Sequence, residues 1–143
     1  MKLVVDTNVL ITYFWSSSFF HSLATSQDFE FVSPEYALEE IKKHSNEIIR
    51  KAKTSEKEFD QFRYNLAVCV EFIPLEEYSS HLRTTQDMIR SLDKHIQKEL
   101  MEDIDFIALA QKEKCPIWTN DKLVNQMKGV KIYTTRLLIE ELF

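Results

Sequence analysis

Glycine is nearly absent: Gly129 stands alone in 143 residues. Loops that cradle phosphate, such as GxGxxG or GxxxxGK(S/T), need two or more glycines so that the backbone can approach the ligand. Classical dinucleotide sites and P-loop nucleotide sites are therefore excluded. Cysteine is scarce too. Cys69 and Cys115 lie in apolar surroundings without CxxC spacing, which argues against zinc, an iron–sulfur cluster or a disulfide framework. No stretch nears the roughly 20 apolar residues of a membrane span, and the opening MKLVVDTNVLI lacks the charged region and cleavage site of a secretion signal. A reducing cytoplasm, away from any membrane, is the expected compartment. Excess positive charge is missing as well: the net charge is −5, whereas binding a phosphate backbone takes clustered Lys and Arg.

The distribution of charge says more than its total. Residues 42–58 hold Lys42, Lys43, Arg50, Lys51, Lys53 and Lys57 against Glu47, Glu56 and Glu58, a local balance of +3 that leaves −8 for the rest of the chain. Two readings stand: a solvated helix face with interspersed Glu and Lys, or a track for RNA carried by Lys42, Lys43, Arg50, Lys51 and Lys53.

A length of 143 residues, 44% hydrophobic and 29% charged, suits one globular domain spanning 1–143. Short apolar runs at 2–5 (KLVV), 29–32 (FEFV), 71–73 (EFI), 117–118 and 130–133 (VKIY) read as strands. Longer amphipathic stretches separate them. Ser33-Pro34-Glu35 predicts an N-cap, a first-turn proline and an early acid for a helix reaching about Lys53. Ser55-x-x-Glu58 is a capping box for a helix carrying Phe59, Phe62, Leu66 and Val70 on one stripe. Helices are also expected over 75–90, 91–101 and 103–114, with Thr134 capping a last one through Leu142. Strands alternating with helices, without hairpin signals, predict an α/β fold: a mainly parallel central sheet of about four or five strands flanked by helices.

In open parallel sheets, ligands bind beyond the carboxyl ends of the strands. Those positions are acidic here. KLVV delivers Asp6, then Thr7 and Asn8; PIWT delivers Thr119, then Asn120 and Asp121. Glu39 and Glu40 follow Pro34 on the next helix, and Glu102, Asp103 and Asp105 open a later one. Taken singly, Asp is a common N-cap and turn former, and Asp103 at a helix N-terminus needs no function. Taken together, converging carboxylates repel one another unless a cation neutralises them. Hard oxygen ligands suit Mg²⁺ or Mn²⁺, one or two ions, and the chemistry they serve is metal-assisted phosphodiester hydrolysis.

The segments VVDTNVLI (4–11), ALEEIKKH (37–44), DIDFIALA (103–110) and PIWTND (116–121) resemble, in order and spacing, the successive acidic motifs of the PIN-domain family. The resemblance covers nearly the whole chain. It implies a Rossmann-like fold, a Mg²⁺- or Mn²⁺-dependent ribonuclease, and often the toxin half of a toxin–antitoxin pair with an antitoxin protein as partner. Matched motif by motif, the metal-binding and catalytic acids fall on Asp6, Glu40, Asp103 and Asp121. Glu39 replaces Glu40 if the helix phase shifts by one residue, and Asp105 stands as an alternative or companion to Asp103. Asn8 and Thr119 match supporting polar positions that orient ligands or water.

Two other classes compete. Haloacid-dehalogenase-like phosphatases also place DxDx(T/V) after an apolar strand, but here the second acid is Asn8, and an amide cannot serve as their general acid. A PIN-like module that binds RNA or protein without cutting it is the other. His21, His44, His81 and His95 show no ligand spacing, and His44 reads as basic surface. Tyr13, Phe14, Trp15, Phe19 and Phe20 read as core, with two alternatives: stacking on an unpaired base at the cleft, or a homodimer contact.

Charge reversal separates the two readings of the basic stretch. Replacing two of Lys42, Lys43, Arg50, Lys51 and Lys53 by Glu is expected to weaken RNA binding at low salt and to flatten its salt dependence. An unchanged binding curve assigns the stretch to a solvated helix face.

Overall fold

The computed structural model describes residues 1–143, the side chain of Leu123 excepted. Its centre is β1 (Lys2–Val5), whose Leu3, Val4 and Val5 are fully buried. A strand apolar at consecutive positions belongs inside a parallel sheet covered on both faces, and β1 is such a strand. It pairs in parallel with β2 (Glu30–Pro34) through Leu3 opposite Phe31, and with β4 (Ile117–Trp118) through Val5 opposite Trp118. With β3 (Val70–Ile73) outside β2 and β5 (Ile132–Tyr133) outside β4, the order is β3-β2-β1-β4-β5, all parallel. The chain builds outward from β1 on one side, then returns to build the other. The reversal lies between β1 and β4.

Helices follow the expected turn chemistry in most places. Asp6 caps α1 (Thr7–Ile11), Ser18 caps α2 (Phe19–Leu23), and Thr134 caps α9 (Thr135–Leu142). Ser55 and Glu58 form the anticipated capping box on α5 (Glu56–Cys69), and α6 spans Leu75–Arg90. The motif after β2 differs. Ser33 is not an N-cap: it is a fully buried strand residue opposite Phe72, and its hydroxyl donates to the Val5 carbonyl at 2.8 Å. Strand β2 runs on through Pro34, and helix α3 (Glu35–Lys43) starts without a side-chain cap.

The helix expected to reach Lys53 breaks at His44, whose backbone leaves helical geometry at φ −97°, ψ 18°. The break lets the two halves follow different partners. Helix α3 packs on α1, β2 and β3, whereas α4 (Ser45–Ala52) packs on α5. Helix α7 (Lys94–Glu102) and α8 (Ile104–Glu113) meet at Asp103. Helix α8 lies against β1, β2, β4 and α6, so its residues Phe106, Ile107, Ala108, Leu109 and Ala110 are all buried.

Tyr13, Phe14 and Phe20 also belong to the core. Phe14 stacks on Phe59 with centroids 4.8 Å apart, and Phe20 meets Phe31 and Trp118 edge-on at 5.4 Å. Burial removes these three from any surface contact. No helix is long and apolar enough to cross a membrane.

A charged tie closes the far end of the sheet. The Lys2 ammonium lies 2.9 Å from the Glu113 carboxylate, which it holds below the usual glutamate value. A carboxyl lowered in the folded state adds stability above its ordinary value and loses it as pH falls through the lowered one. Glu113→Gln is expected to cost about 0.5–1 kcal/mol at neutral pH. It should also lose less further stability than the wild type as pH drops toward about 3. Urea denaturation at the two pH values checks both.

Candidate active site

Because β1 and β4 are neighbours, the residues leaving their carboxyl ends face each other. The Asp6 backbone N–H donates to the Trp118 carbonyl at 3.2 Å. One oxygen of the Asp6 carboxylate accepts the Val9 N–H at 2.8 Å, which caps α1, and the other accepts the Thr119 hydroxyl. The same hydroxyl accepts the Asp121 N–H at 3.0 Å. Thr119 is 2% exposed, so both contacts are sheltered from water. Across from them, the Thr7 hydroxyl donates to Glu40 Oε1 at 2.9 Å, joining the start of α1 to α3.

These groups border a cleft of about 320 Å³ lined by Asp6, Thr7, Asn8, Glu40, Glu102 and Asp103, with Tyr36 and His44 at its sides. The floor is electrostatically strained. Burial pushes the Asp6 carboxyl above its usual value, Asp121 and Glu40 add to the rise, and the Thr119 and Val9 hydrogen bonds oppose it. Asp103 is pushed up to about 7, first by burial, then by the nearby charges of Asp121 and Asp6 and a side-chain hydrogen bond with Asp121. Burial and neighbouring negative charge both disfavour the ionised form of a carboxyl group.

Among the described residues, no Lys or Arg pairs with Asp6, Glu40 or Asp103. Nor is any group of three or more His, Cys, Asp or Glu side chains among them arranged to hold a metal ion. The oxygens are occupied locally: Asp6 by Val9 and Thr119, Glu40 by Thr7, and Asp103 by Asp121. Their chemistry nevertheless fits a hard divalent cation, since the donors are carboxylates, partly buried, and mutually repelling.

The cleft separates alternatives that the sequence left open. Glu40 faces it, whereas Glu39 lines a larger open groove of about 560 Å³ between α3 and α5, with Lys42 and Arg63. Asp103 faces it, whereas Asp105 accepts the Tyr78 hydroxyl at 2.6 Å. Asn8 lines it, exposed. Asp121 sits beside it, coupled to Asp6 and Asp103. Lys42, Lys43, Arg50, Lys51 and Lys53 are all exposed, with Lys51 paired to Glu47 at 2.7 Å. His44, read from sequence as basic surface, borders the acids. Thr7 carries a role the sequence reading passed over, although its place directly after Asp6 marked it. Tyr36 was missed altogether, because a tyrosine one turn before Glu40 gives no signal of its own.

A family model described as PIN domain matches residues 4–142. The chain belongs to the PIN-domain family. Solved structures similar to this PIN domain include a chain from the crystal structure of VapBC2 from Rickettsia felis bound to a DNA fragment from their promoter. The TM-score is 0.63 at 14% identity, and the match covers 94% of this chain and 98% of that one. That likeness shows the fold. No curated protein matches the chain by sequence.

Thr119 offers a test of how the floor is held. Thr119→Val leaves the Asp6 carboxylate and the Asp121 N–H each short of a partner, and is expected to cost about 1–3 kcal/mol. Thr119→Ser keeps the hydroxyl and should retain most of the stability. Equal denaturation midpoints for the two variants would show that the hydroxyl holds nothing.

Proposed function

We propose that this PIN domain is a Mg²⁺- or Mn²⁺-dependent endoribonuclease that hydrolyses RNA phosphodiester bonds, with Asp6, Glu40, Asp103 and Asp121 as its metal-binding and catalytic acids. The observation that carries the proposal is the meeting of Asp6, Glu40 and Asp103 in one cleft, with Asp121 coupled to two of them, at the carboxyl ends of β1 and β4. Family membership supports it, since PIN domains are generally nucleases. When bound, a divalent cation supplies Lewis acidity toward the phosphodiester and its attacking water.

The chain's own residues prepare the site. Val9 N–H and the Thr119 hydroxyl hold the Asp6 carboxylate in one orientation, and the Thr7 hydroxyl does the same for Glu40. The Asp103 carboxyl, pushed up to about 7 by burial and neighbouring acids, loses its proton more readily once positive charge enters. Asp105, tied to Tyr78, and Glu39, on the groove side of α3, are the weaker choices. Asn8 and Thr119 act as supports.

We further propose that the chain is the toxin of a toxin–antitoxin pair, its partner an antitoxin protein. The fold it shares with a chain of VapBC2, a structure that includes promoter DNA, supports this role. A second reading is a PIN module that binds without cutting. It is favoured by the lack, among the described residues, of side chains arranged to hold a metal.

One set of melting curves separates the readings. Mn²⁺ at about 100 times its dissociation constant adds roughly 2.7 kcal/mol, a visible rise in Tm for a domain of this size. Asp6→Asn and Asp121→Asn each remove a charge at nearly constant shape. The expected result is unchanged or higher metal-free stability, with loss of the Mn²⁺ shift, of RNA cleavage and of growth arrest on expression. A Mn²⁺ shift and cleavage that both survive in these variants would show that the two residues are not ligands. A wild-type protein that binds RNA but neither shifts nor cuts would establish the binding module.

A further inference from the structure

A second cavity adjoins the acid cleft. It measures about 290 Å³, shares Asn8, Ile11 and His44 with the cleft and is otherwise walled by Trp15, Glu47, Ile48 and Lys51. The chemistry changes from one to the other: the cleft gathers Asp6, Glu40, Glu102 and Asp103, whereas the second cavity holds an indole, two isoleucines and one carboxylate, Glu47, already paired with Lys51. Trp15 is pinned by its backbone: its N–H donates to the Thr12 carbonyl and its own carbonyl accepts the Ser18 N–H, both at 3.0 Å. Its side chain is half-buried, one part packed against the core and the rest open to the cavity. Tyr13, Phe14, Phe19 and Phe20 each pack against other rings, whereas Trp15 meets no aromatic partner among the described residues. Trp118 donates its indole N–H to Thr135 at 3.0 Å; that of Trp15 donates to no other group among the described residues.

We propose that this chamber is a nucleobase subsite, in which the base of a nucleotide adjoining the phosphodiester at the acid cleft stacks on the Trp15 indole. The inference rests on reading the acid cleft as an RNA-hydrolysing site, and names how the substrate is held there. At about 290 Å³ the cavity lies at the small end of ligand-pocket sizes, the scale of a single small ring system. Ile11 and Ile48 supply the apolar walls, and every base has a π-face to offer the indole, so stacking alone discriminates little among bases. His44 and Asn8, at the junction of the chambers, bring donors and acceptors to a base edge. Beside them Lys51 forms an exposed ion pair with Glu47 at 2.7 Å, and its ammonium is available to the next phosphate along the strand by exchanging that partner. A single strand fits this succession of acid cleft, apolar slot and cationic rim. A duplex, with its bases stacked inside, does not.

The two tryptophans of the chain make the test direct, because Trp118 is 1% exposed and only Trp15 is within reach of a ligand. In Mg²⁺, nucleoside 5′-monophosphates are expected to quench indole fluorescence saturably, ribose 5-phosphate is not, and the quenching disappears in Trp15→Phe. In cleavage of single-stranded RNA, Trp15→Ala is expected to lower kcat/KM by about 10- to 100-fold, mainly through KM, with Trp15→Phe restoring most of the loss. Equal quenching by ribose 5-phosphate, or an RNA-cleaving wild type with no nucleotide quenching, would overturn the subsite. An unchanged KM in a folded Trp15→Ala protein would do the same. Base-dependent quenching in a protein that never cleaves RNA would uphold the subsite and overturn the nuclease reading instead.

Discussion

One hydroxyl ties the working end of this sheet together. Thr119 donates to the Asp6 carboxylate and accepts the Asp121 N–H, so a single buried oxygen links the residue leaving β1 to the turn leaving β4. Asp6 in turn caps α1, and α1 opens with Thr7, which holds Glu40 on α3. The acids are thus fixed by short polar contacts to elements whose positions the apolar core has already decided. Remove the hydroxyl, and the Asp6 carboxylate and the Asp121 N–H, both half-buried, each lose one partner at once.

The same arrangement carries an internal conflict. Carboxylates that are buried and close together are unfavourable, and both burial and neighbouring negative charge raise Asp6 and Asp103 above their usual values. At Asp6 the fold accommodates it with neutral donors, the Thr119 hydroxyl and the Val9 N–H, and among the described residues no lysine or arginine pairs with Asp6, Glu40 or Asp103. Negative potential therefore stays available to a ligand. A cationic side chain would have relieved the repulsion and filled the site. Stability is given up locally where charge is needed, as commonly happens at sites that act on something other than themselves.

Much of this was legible in the sequence because the signals are local and repeated. Short apolar runs alternating with longer amphipathic stretches, without hairpin signals, announced a parallel sheet, and the sheet has all five strands in parallel. The capping box at Ser55 and the cap at Thr134 read correctly because a cap is decided by a few neighbouring residues. Ser33 misled for the opposite reason: its local pattern was that of an N-cap, but a distant partner, the Val5 carbonyl, claimed the hydroxyl. The break at His44 was invisible because tertiary packing produces it, each half following its own neighbour. The choice of Glu40 over Glu39 as the cleft residue needed the helix phase, and the turning of Asp105 away needed Tyr78, 27 positions earlier. Pattern gives which residues are acidic and where a strand ends; which way a side chain turns is a long-range property.

The contact between Thr119 and Asp6 spans 113 positions of the chain, and that distance has a consequence for synthesis. A ribosome delivers Asp6 early and the β4 segment late. Until Ile117, Trp118 and Thr119 have emerged, β1 lacks one of its two neighbours, and neither Thr119 nor Asp121 has joined the earlier acids. A nascent chain can fold its first three strands against one another without owning any of that floor. The order of synthesis thus sets the order of assembly: the acid cleft gains its floor only after residues 117–121 have been made, and no earlier stretch of the chain can close it alone.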